Sequence, residues 1–282
     1  MLSRRNARYN LLRESPLKFI TSLCTCFAII IFSGCAAKLH QAEVISLADI
    51  VNNVEAHGVN SKYKGQKVTI TAAGRIYPSA DGDPPTLELF THHNKVHFFI
   101  TDSDAKSVHD HYYLNYMESD LAHIRGHTTY TFTLLIKDIS ENITTGGNRF
   151  FTIRSDVPEH TAKADIEVID TTLEQIVTGD QNYVGKTVRL QATVSLDRLN
   201  ELLKIQDDID PELVKNYSGA MTLATNNKDV TFWIIDDVAA GGFFPSNLEK
   251  YKNHQTYTFT LYIERIVRDK GQVEITTGIA DD

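Results

Sequence analysis

The chain has 282 residues, of which 42% are hydrophobic, and its 28 lysines and arginines stand against 36 aspartates and glutamates. This acidic balance argues against a nucleic-acid partner, which needs a basic face. The length is sufficient for two domains of ordinary size. The three cysteines stand at positions 24, 26 and 35, so the sequence after them offers no disulfide, thiol nucleophile or thiolate metal site.

The first 34 residues have the pattern of a secretory signal peptide. Five basic residues precede an apolar run from Phe19 to Phe32, which at 14 residues is short for a membrane span. The run ends in Phe32-Ser33-Gly34-Cys35, which resembles the lipobox of bacterial lipoproteins. The resemblance implies cleavage before Cys35 and lipidation of Cys35. An uncleaved N-terminal anchor is the alternative, and either reading attaches the chain to a membrane.

The lipobox resemblance also implies a cellular location. Ala36 follows Cys35, at a position where aspartate in such lipoproteins marks retention in the inner membrane. We therefore expect a protein of the outer membrane that faces the periplasm. Cleavage would remove five basic residues and one acidic residue, which lowers the net charge from −8 to −12.

A duplication organises the rest of the chain. The strand-like segment Thr129–Leu134 recurs letter for letter as Thr256–Leu261, and its alternation of threonine with Tyr, Phe and Leu predicts a half-buried strand. Four further pairs of segments match around it: 46–51 with 172–177, 63–72 with 183–192, 96–100 with 230–234, and 119–127 with 246–254. The sequence therefore predicts a tether at 35–43, a domain at 44–157, a linker at 158–165 and a second domain at 166–282.

Each domain is predicted to repeat one order of elements. A short helix opens on a capping box at Ser46 or Thr172. A second helix ends at Gly126 or Asn253, residue types that tolerate a left-handed conformation. In the first domain we predict strands at 66–77, 86–91, 95–102, 127–137 and 149–153, with a helical crossover at 103–126. In the second we predict strands at 186–196, 220–225, 230–236, 255–267 and 272–276, a helix at 246–252, and a long connection before 220.

Five strands with a helix between the third and fourth is the order of an OB-fold barrel. The Tyr-x-Gly-x-x-Val segments at Tyr63 and Tyr183, together with the repeated Tyr-x-Phe-x-Leu strand, resemble the small OB-fold domains called tRNA-anticodon-like, which occur in bacterial envelope proteins. The resemblance implies a mainly β protein with short helices. It implies two tandem five-stranded OB-like barrels, each preceded by a short N-terminal helix.

Two aromatic residues are candidates for ligand binding. If Val96, Phe98 and Ile100 face a barrel interior, then Phe99 points outward, and Trp233 does so at the equivalent place in the second domain. OB-folds bind ligands on the face of strands two and three, where a flat ring stacks on bases or sugars. The alternative is that both rings are covered by a helix or by the other domain.

Other candidate chemistry is weaker. Eight of the eleven histidines lie between His57 and His127, and a hairpin could gather a metal site from three of them: His92, His93 and His97. Solvated histidines are the alternative, and His109 and His111 fall in the predicted crossover. His127 and His254 match between the repeats at a turn, which suggests a backbone hydrogen bond. A calcium site would draw on Asp207, Asp208, Asp210 and Glu212, but these lack EF-hand spacing.

The sequence thus favours a non-catalytic, lipid-anchored envelope protein that needs no cofactor. We expect it to bind or scaffold envelope proteins or glycans through the faces of strands two and three. Two other hypotheses stay open at this point: a metal-dependent enzyme that uses the histidine-rich first domain, and binding of single-stranded nucleic acid through the OB faces.

Overall fold

The computed structural model describes residues 42–77, 84–107, 119–179, 183–203, 210–236 and 248–280. Within these residues the protein is mainly β with a few short helices, as predicted, and its strands form two curled sheets. The predicted signal peptide and Cys35 lie outside the described residues. In the part of the chain that is described, none of the helices has the length and apolar character needed to cross a bilayer.

The first sheet contains eight strands: β1 (Glu43–Val44), β2 (Lys67–Ala72), β3 (Gly74–Tyr77), β4 (Thr86–Leu89), β5 (Val96–Thr101), β6 (Tyr130–Ile143), β7 (Arg149–Asp156) and β8 (His160–Lys163). Their order is β1-β2-β6-β7-β5-β4-β3, and β8 pairs with β6 off this path. Neighbours run antiparallel except for β1 with β2 and β5 with β7, which are parallel. The segment 158–165, predicted as a linker, therefore contains a paired strand.

The second sheet contains six strands: β9 (Val168–Asp170), β10 (Thr187–Thr193), β11 (Ala220–Leu223), β12 (Val230–Ile235), β13 (Thr256–Asp269) and β14 (Gln272–Ile279). Their order is β11-β12-β14-β13-β10-β9, with β12 parallel to β14 and β9 parallel to β10. Read from β9, this order repeats the order of β1, β2, β6, β7, β5 and β4 in the first sheet. The duplicated segments thus occupy corresponding places in the two sheets.

Alternating side chains build a separate hydrophobic core inside each sheet. Val96, Phe98 and Ile100 of β5 are fully buried, and so are Phe232 and Ile234 of β12, which confirms the predicted interior faces. The duplicated strands each contribute a buried phenylalanine and leucine to their own core: Phe132 and Leu134, and Phe259 and Leu261.

The predicted helix starts are confirmed. Helix α1 (Leu47–His57) begins after Ser46, whose hydroxyl accepts a hydrogen bond from Asp49 N at 3.0 Å. Helix α2 (Leu173–Thr178) begins after Thr172, and the full capping box forms with Gln175. Each cap satisfies amide groups that the first helical turn leaves without partners.

The helix predicted at 246–252 and the 119–126 part of the predicted crossover are not helical where the structure describes them, and residues 108–118 and 246–247 lie outside the described residues. Residues 104–107 form a short 3₁₀ helix, and the described stretches 119–126 and 248–254 contain turns and bends. The left-handed residues are His127 (φ 61°) and His254 (φ 58°), one position after the predicted Gly126 and Asn253. His127 N donates to Gly74 O at 2.8 Å and His254 N to Val194 O at 3.0 Å, which confirms the predicted backbone hydrogen bonds. These bonds fix the chain at the histidine, so the reversal occurs there.

Two helices were missed before β11. The predicted long connection contains α3 (Leu196–Leu203) and α4 (Pro211–Ser218), and both contact β11. Asp210 caps α4 by accepting a hydrogen bond from Glu212 N at 2.9 Å, with proline at the first helical position. The Asp210-Pro211-Glu212 segment is a helix-start signal, which in the sequence competes with the prediction of a long solvated connection.

Candidate functional site

A partly exposed row of aromatic and polar side chains crosses the outer face of the first sheet. It consists of Tyr77 on β3, Glu88 on β4, His97 and Phe99 on β5, and Phe150 on β7, and we call it the aromatic strip. Because alternate residues of a strand point to opposite faces, the burial of Leu87, Leu89, Phe98 and Ile100 places Glu88, His97 and Phe99 outward. The strip is therefore a product of strand register and is held by a rigid sheet.

Glu88 connects the polar groups of the aromatic strip. The Tyr77 hydroxyl donates to Glu88 Oε2 at 2.9 Å, and His97 Nδ1 donates to Glu88 Oε1 at 2.8 Å. The His97 ring lies parallel to the Phe99 ring, with centroids 6.1 Å apart, and meets Phe150 edge-on at 5.6 Å. These contacts fix the ring orientations before any ligand arrives, which lowers the entropic cost of binding.

The Tyr77 hydroxyl remains a hydrogen-bond donor throughout the physiological range. Burial of the hydroxyl and the negative charge of Glu88 raise the pKa of Tyr77 to about 12. The side chain is nevertheless accessible, with 41% of the residue exposed. The aromatic strip therefore offers a hydroxyl, a carboxylate and an imidazole beside flat apolar rings.

Two open grooves meet at His97 of the aromatic strip. One has a volume of about 970 Å³ and includes Lys95, His97, Arg149 and Phe150 in its lining. The other has a volume of about 590 Å³ and runs past His97 to residues of β13 in the second sheet, including Glu264. His97 and Asn94 line both grooves. These volumes match those of small-molecule sites, which span roughly 300–1,000 Å³.

The structure separates the two predicted aromatic candidates. Phe99 and Trp233 do occupy equivalent positions, because Phe99 pairs with Glu88 and Arg154, while Trp233 pairs with Thr222 and Thr276. Phe99 is partly exposed beside charged residues. Trp233 packs against the core of the second sheet, and both of its register partners are buried. Both side chains are partly exposed, but only Phe99 pairs with charged residues, so Phe99 lies on the more polar of the two faces.

A set of aromatic and charged residues joins the two sheets along one wall of the grooves. We call it the seam, and it consists of Arg75, Phe90, His92 and His127 from the first sheet and its loops, with Tyr262 and Glu264 from β13. The Phe90 and Tyr262 rings stack with centroids 5.3 Å apart, and His92 Nε2 lies 2.9 Å from the Tyr262 hydroxyl oxygen. Arg75 Nη2 donates to Glu264 Oε2 at 2.6 Å, and His127 Nε2 lies 3.4 Å from the same oxygen.

The protein environment sets the charge states in the seam. Although His92 as a residue is exposed, desolvation of its ring lowers its pKa and outweighs the opposing effect of Glu264. Burial raises the pKa of Tyr262, which keeps its hydroxyl protonated. Burial alone would also raise the pKa of Glu264, but the hydrogen bond with His127 and the charge of Arg75 together hold it below its ordinary value. Glu264 is therefore an anion fixed between two sheets.

The metal and calcium sites weighed against solvated residues in the sequence receive no support from the side chains that are described. His92 bonds Tyr262, His93 pairs with Glu55 at 3.1 Å and His97 with Glu88, so the three histidines point to different partners. No group of three His, Cys, Asp or Glu residues suited to a metal ion occurs within the described ranges. Glu212 instead pairs with the fully buried Lys215 at 2.6 Å. His109, His111, Asp207 and Asp208 lie outside the described residues.

No model of a known protein family matches the chain, and no curated protein matches it in sequence. Among solved structures, the chain is similar to a protein assigned as an aspartyl-tRNA synthetase from Leishmania major Friedlin. The match has 9% identity and a TM-score of 0.26, and it covers 46% of this chain and 23% of that one. A likeness this weak carries no argument about function.

Proposed function

We propose that the protein is a non-catalytic, lipid-anchored module of the bacterial outer membrane that faces the periplasm and binds envelope glycans through the aromatic strip. The aromatic strip is the observation that carries the proposal. Rings that stack on the apolar faces of sugars stand beside a carboxylate and a hydroxyl that can bond sugar hydroxyls. Its position on a sheet face suits recognition of an extended chain.

The proposal includes two tandem five-stranded OB-like barrels. Support comes from the strand orders, with β2 and β3 taken as one bent first strand. The order β2-β6-β7-β5-β4-β3 then returns to its own first strand. The second sheet repeats it, and an isolated bridge from Val194 to Leu223 joins the end of β10 to β11. On this assignment Glu88, His97 and Phe99 of the aromatic strip lie on strands two and three, where OB-folds bind oligosaccharides or oligonucleotides.

Charge favours a glycan over single-stranded nucleic acid as the ligand of the aromatic strip. Glu88 stands at its centre and the whole chain is acidic, which opposes a phosphate backbone.

Envelope proteins remain a second class of partner for the faces outside the aromatic strip. Lipidation itself is tested by a Cys35→Ser variant, which should lose labelling by a palmitate analogue and leave the membrane fraction.

Replacing Phe99 with alanine should weaken glycan binding about tenfold, because a stacking surface worth about 1.4 kcal/mol is lost. The measurement is co-sedimentation of the purified lipoprotein with isolated peptidoglycan, followed by calorimetry with soluble glycan fragments. His97→Ala should have a similar effect, because it removes a ring that packs on both Phe99 and Phe150.

Trp233→Ala is the matched control, since it removes the equivalent aromatic side chain from a face whose neighbouring strand residues are buried threonines. It should lower the midpoint of urea unfolding and leave the affinity unchanged. Equal affinity in the wild type, F99A and H97A would refute the role of the aromatic strip. Tight binding of an oligonucleotide that weakens with added salt would support the nucleic-acid alternative instead.

A further inference from the structure

The duplicated strand has different neighbours in the two sheets. In the first sheet, β8 runs antiparallel along the start of β6, with Lys163 opposite Tyr130 and His160 opposite Thr133. Ala164 N extends this pairing by donating to Thr129 O at 3.0 Å. Four residues that follow β7 therefore cover this edge of the duplicated strand.

In the second sheet the same six residues begin β13. One side of this segment pairs with β10 from Thr256 to Tyr262. On the other side, β14 pairs with β13 only from Leu261 onward, and Ala280 N donates to Thr260 O at 3.0 Å. Within the described residues, no strand runs along 256–259 in the way that β8 runs along 130–133 in the first sheet.

The backbone hydrogen bond next to residues 256–259 of β13 has an equivalent in the first sheet. Glu159 N donates to Thr133 O at 2.9 Å in the first sheet, which corresponds to the bond from Ala280 to Thr260 in the second. In the first sheet the chain then continues as β8. The two sheets are therefore alike up to this point, and within the described residues only the first sheet has a further strand paired beyond it.

Thr258 lies at the centre of the open edge. Its counterpart in β6 is Thr131, which pairs with Ala162 of β8. Backbone groups of successive residues in an antiparallel strand point to alternate sides, and Thr260 O accepts from Ala280 on the side away from β10. The N–H and C=O of Thr258 therefore also point away from β10, and Thr258 is exposed.

We propose that the edge of β13 at residues 256–259 binds an extended segment of a partner protein by antiparallel strand addition. The inference is independent of the glycan site. The bound segment should resemble β8, because β8 pairs with the identical sequence: it is short and hydrophilic, and three of its four residues are exposed. Main-chain hydrogen bonds would supply the affinity, as in other strand-addition complexes.

A second copy of this chain suits the edge less well than a partner protein. The β8 strand of a copy is already paired with its own β6. Direct pairing of two β13 edges would join only about four residues on each side. A contact of that size buries far less surface than the roughly 1,000 Å² of a specific dimer. A flexible segment of a larger partner can add contacts beyond the edge itself.

The test is hydrogen–deuterium exchange of the full chain purified in detergent, followed by mass spectrometry of peptides that cover β6 and β13. The probe is a synthetic peptide with the sequence of residues 157–165, used at millimolar concentration. A control peptide carries A162P, because proline lacks the N–H that faces the strand edge. In the free protein, the start of β13 should exchange faster than the start of β6. The first peptide should slow exchange in β13 about fivefold or more, and the control peptide should not.

A T258P variant provides the second readout. Its amide faces away from β10, so the variant should stay folded and lose the protection given by the peptide. Slow exchange at the start of β13 in the free protein would overturn the proposal, because the edge would already be paired. Absence of protection by the peptide would overturn it as well. Protection that rises with protein concentration would assign the edge to a second copy instead.

Discussion

Replacing Gly278 with alanine should destabilise the protein by about 3 kcal/mol, because the new methyl group would collide with a residue of the other sheet. A Cβ at Gly278 would lie 2.1 Å from Cγ and Nδ1 of His127. The His127 side chain is only 2% exposed and its ring packs on Phe90 near Glu264, so it has little room to move. The measurement is the midpoint of urea unfolding, compared at an unchanged slope.

Gly146→Ala is the control for Gly278→Ala. Its nearest neighbour would be Thr144 Oγ1 at 3.7 Å, which is an ordinary contact, so the midpoint should barely change. A double-mutant cycle with His127→Gly adds a stricter test. Glycine suits the positive φ of position 127 and removes the ring, so the two changes together should cost less than their sum. Strict additivity would contradict a direct clash.

Replacing Glu264 with glutamine should cost about 3 kcal/mol, because it leaves Arg75 beside a neutral partner in a partly buried site. Glu264 has 18% of its side chain exposed and bonds a residue 189 positions away in the sequence. The change keeps the shape of the side chain and removes its charge. Glu274→Gln is the control, since Glu274 is well exposed and lies 3.6 Å from Arg265. It should cost less than about 0.5 kcal/mol.

The pH dependence gives the Glu264 prediction a sign. The pKa of Glu264 is held below its ordinary value of 4.5 in the folded protein. The carboxylate therefore contributes stability above the pKa of the unfolded chain, and this contribution is lost as the pH falls through the lower folded value. Wild type should lose its advantage over Glu264→Gln as the pH falls below about 4.5. A constant difference in unfolding free energy down to pH 3 would contradict the assignment.

Strand faces and helix caps could be predicted from the sequence, because each is determined by residues close together in the chain. The interior faces of β5 and β12 follow from alternation over six residues, and the helix caps at Ser46 and Thr172 follow from spacings of three. Both signals are local, so they hold whatever the distant packing. The alternation along β5 therefore predicts that Phe99 points outward.

The seam and most of the aromatic strip could not be predicted in the same way. Arg75 with Glu264, and His127 with Glu264, join residues separated by 189 and 137 positions, and no local pattern specifies such pairs. Glu88 and His97 lie only nine residues apart, and alternation on β4 and β5 would have placed both outward. Their pairing does not follow from the sequence, because the clustering of histidines there is equally typical of metal ligands and of solvated surface residues.

The pairing of β8 with the first sheet has a mechanical consequence. Only the four residues 164–167 separate β8 from β9, and fully extended they span at most about 14 Å. If the seam were broken, its two sides would still be confined at a local concentration in the millimolar range. Reassembly would therefore be intramolecular and independent of dilution, so damage at Gly278 or Glu264 should loosen the molecule without dissociating its halves.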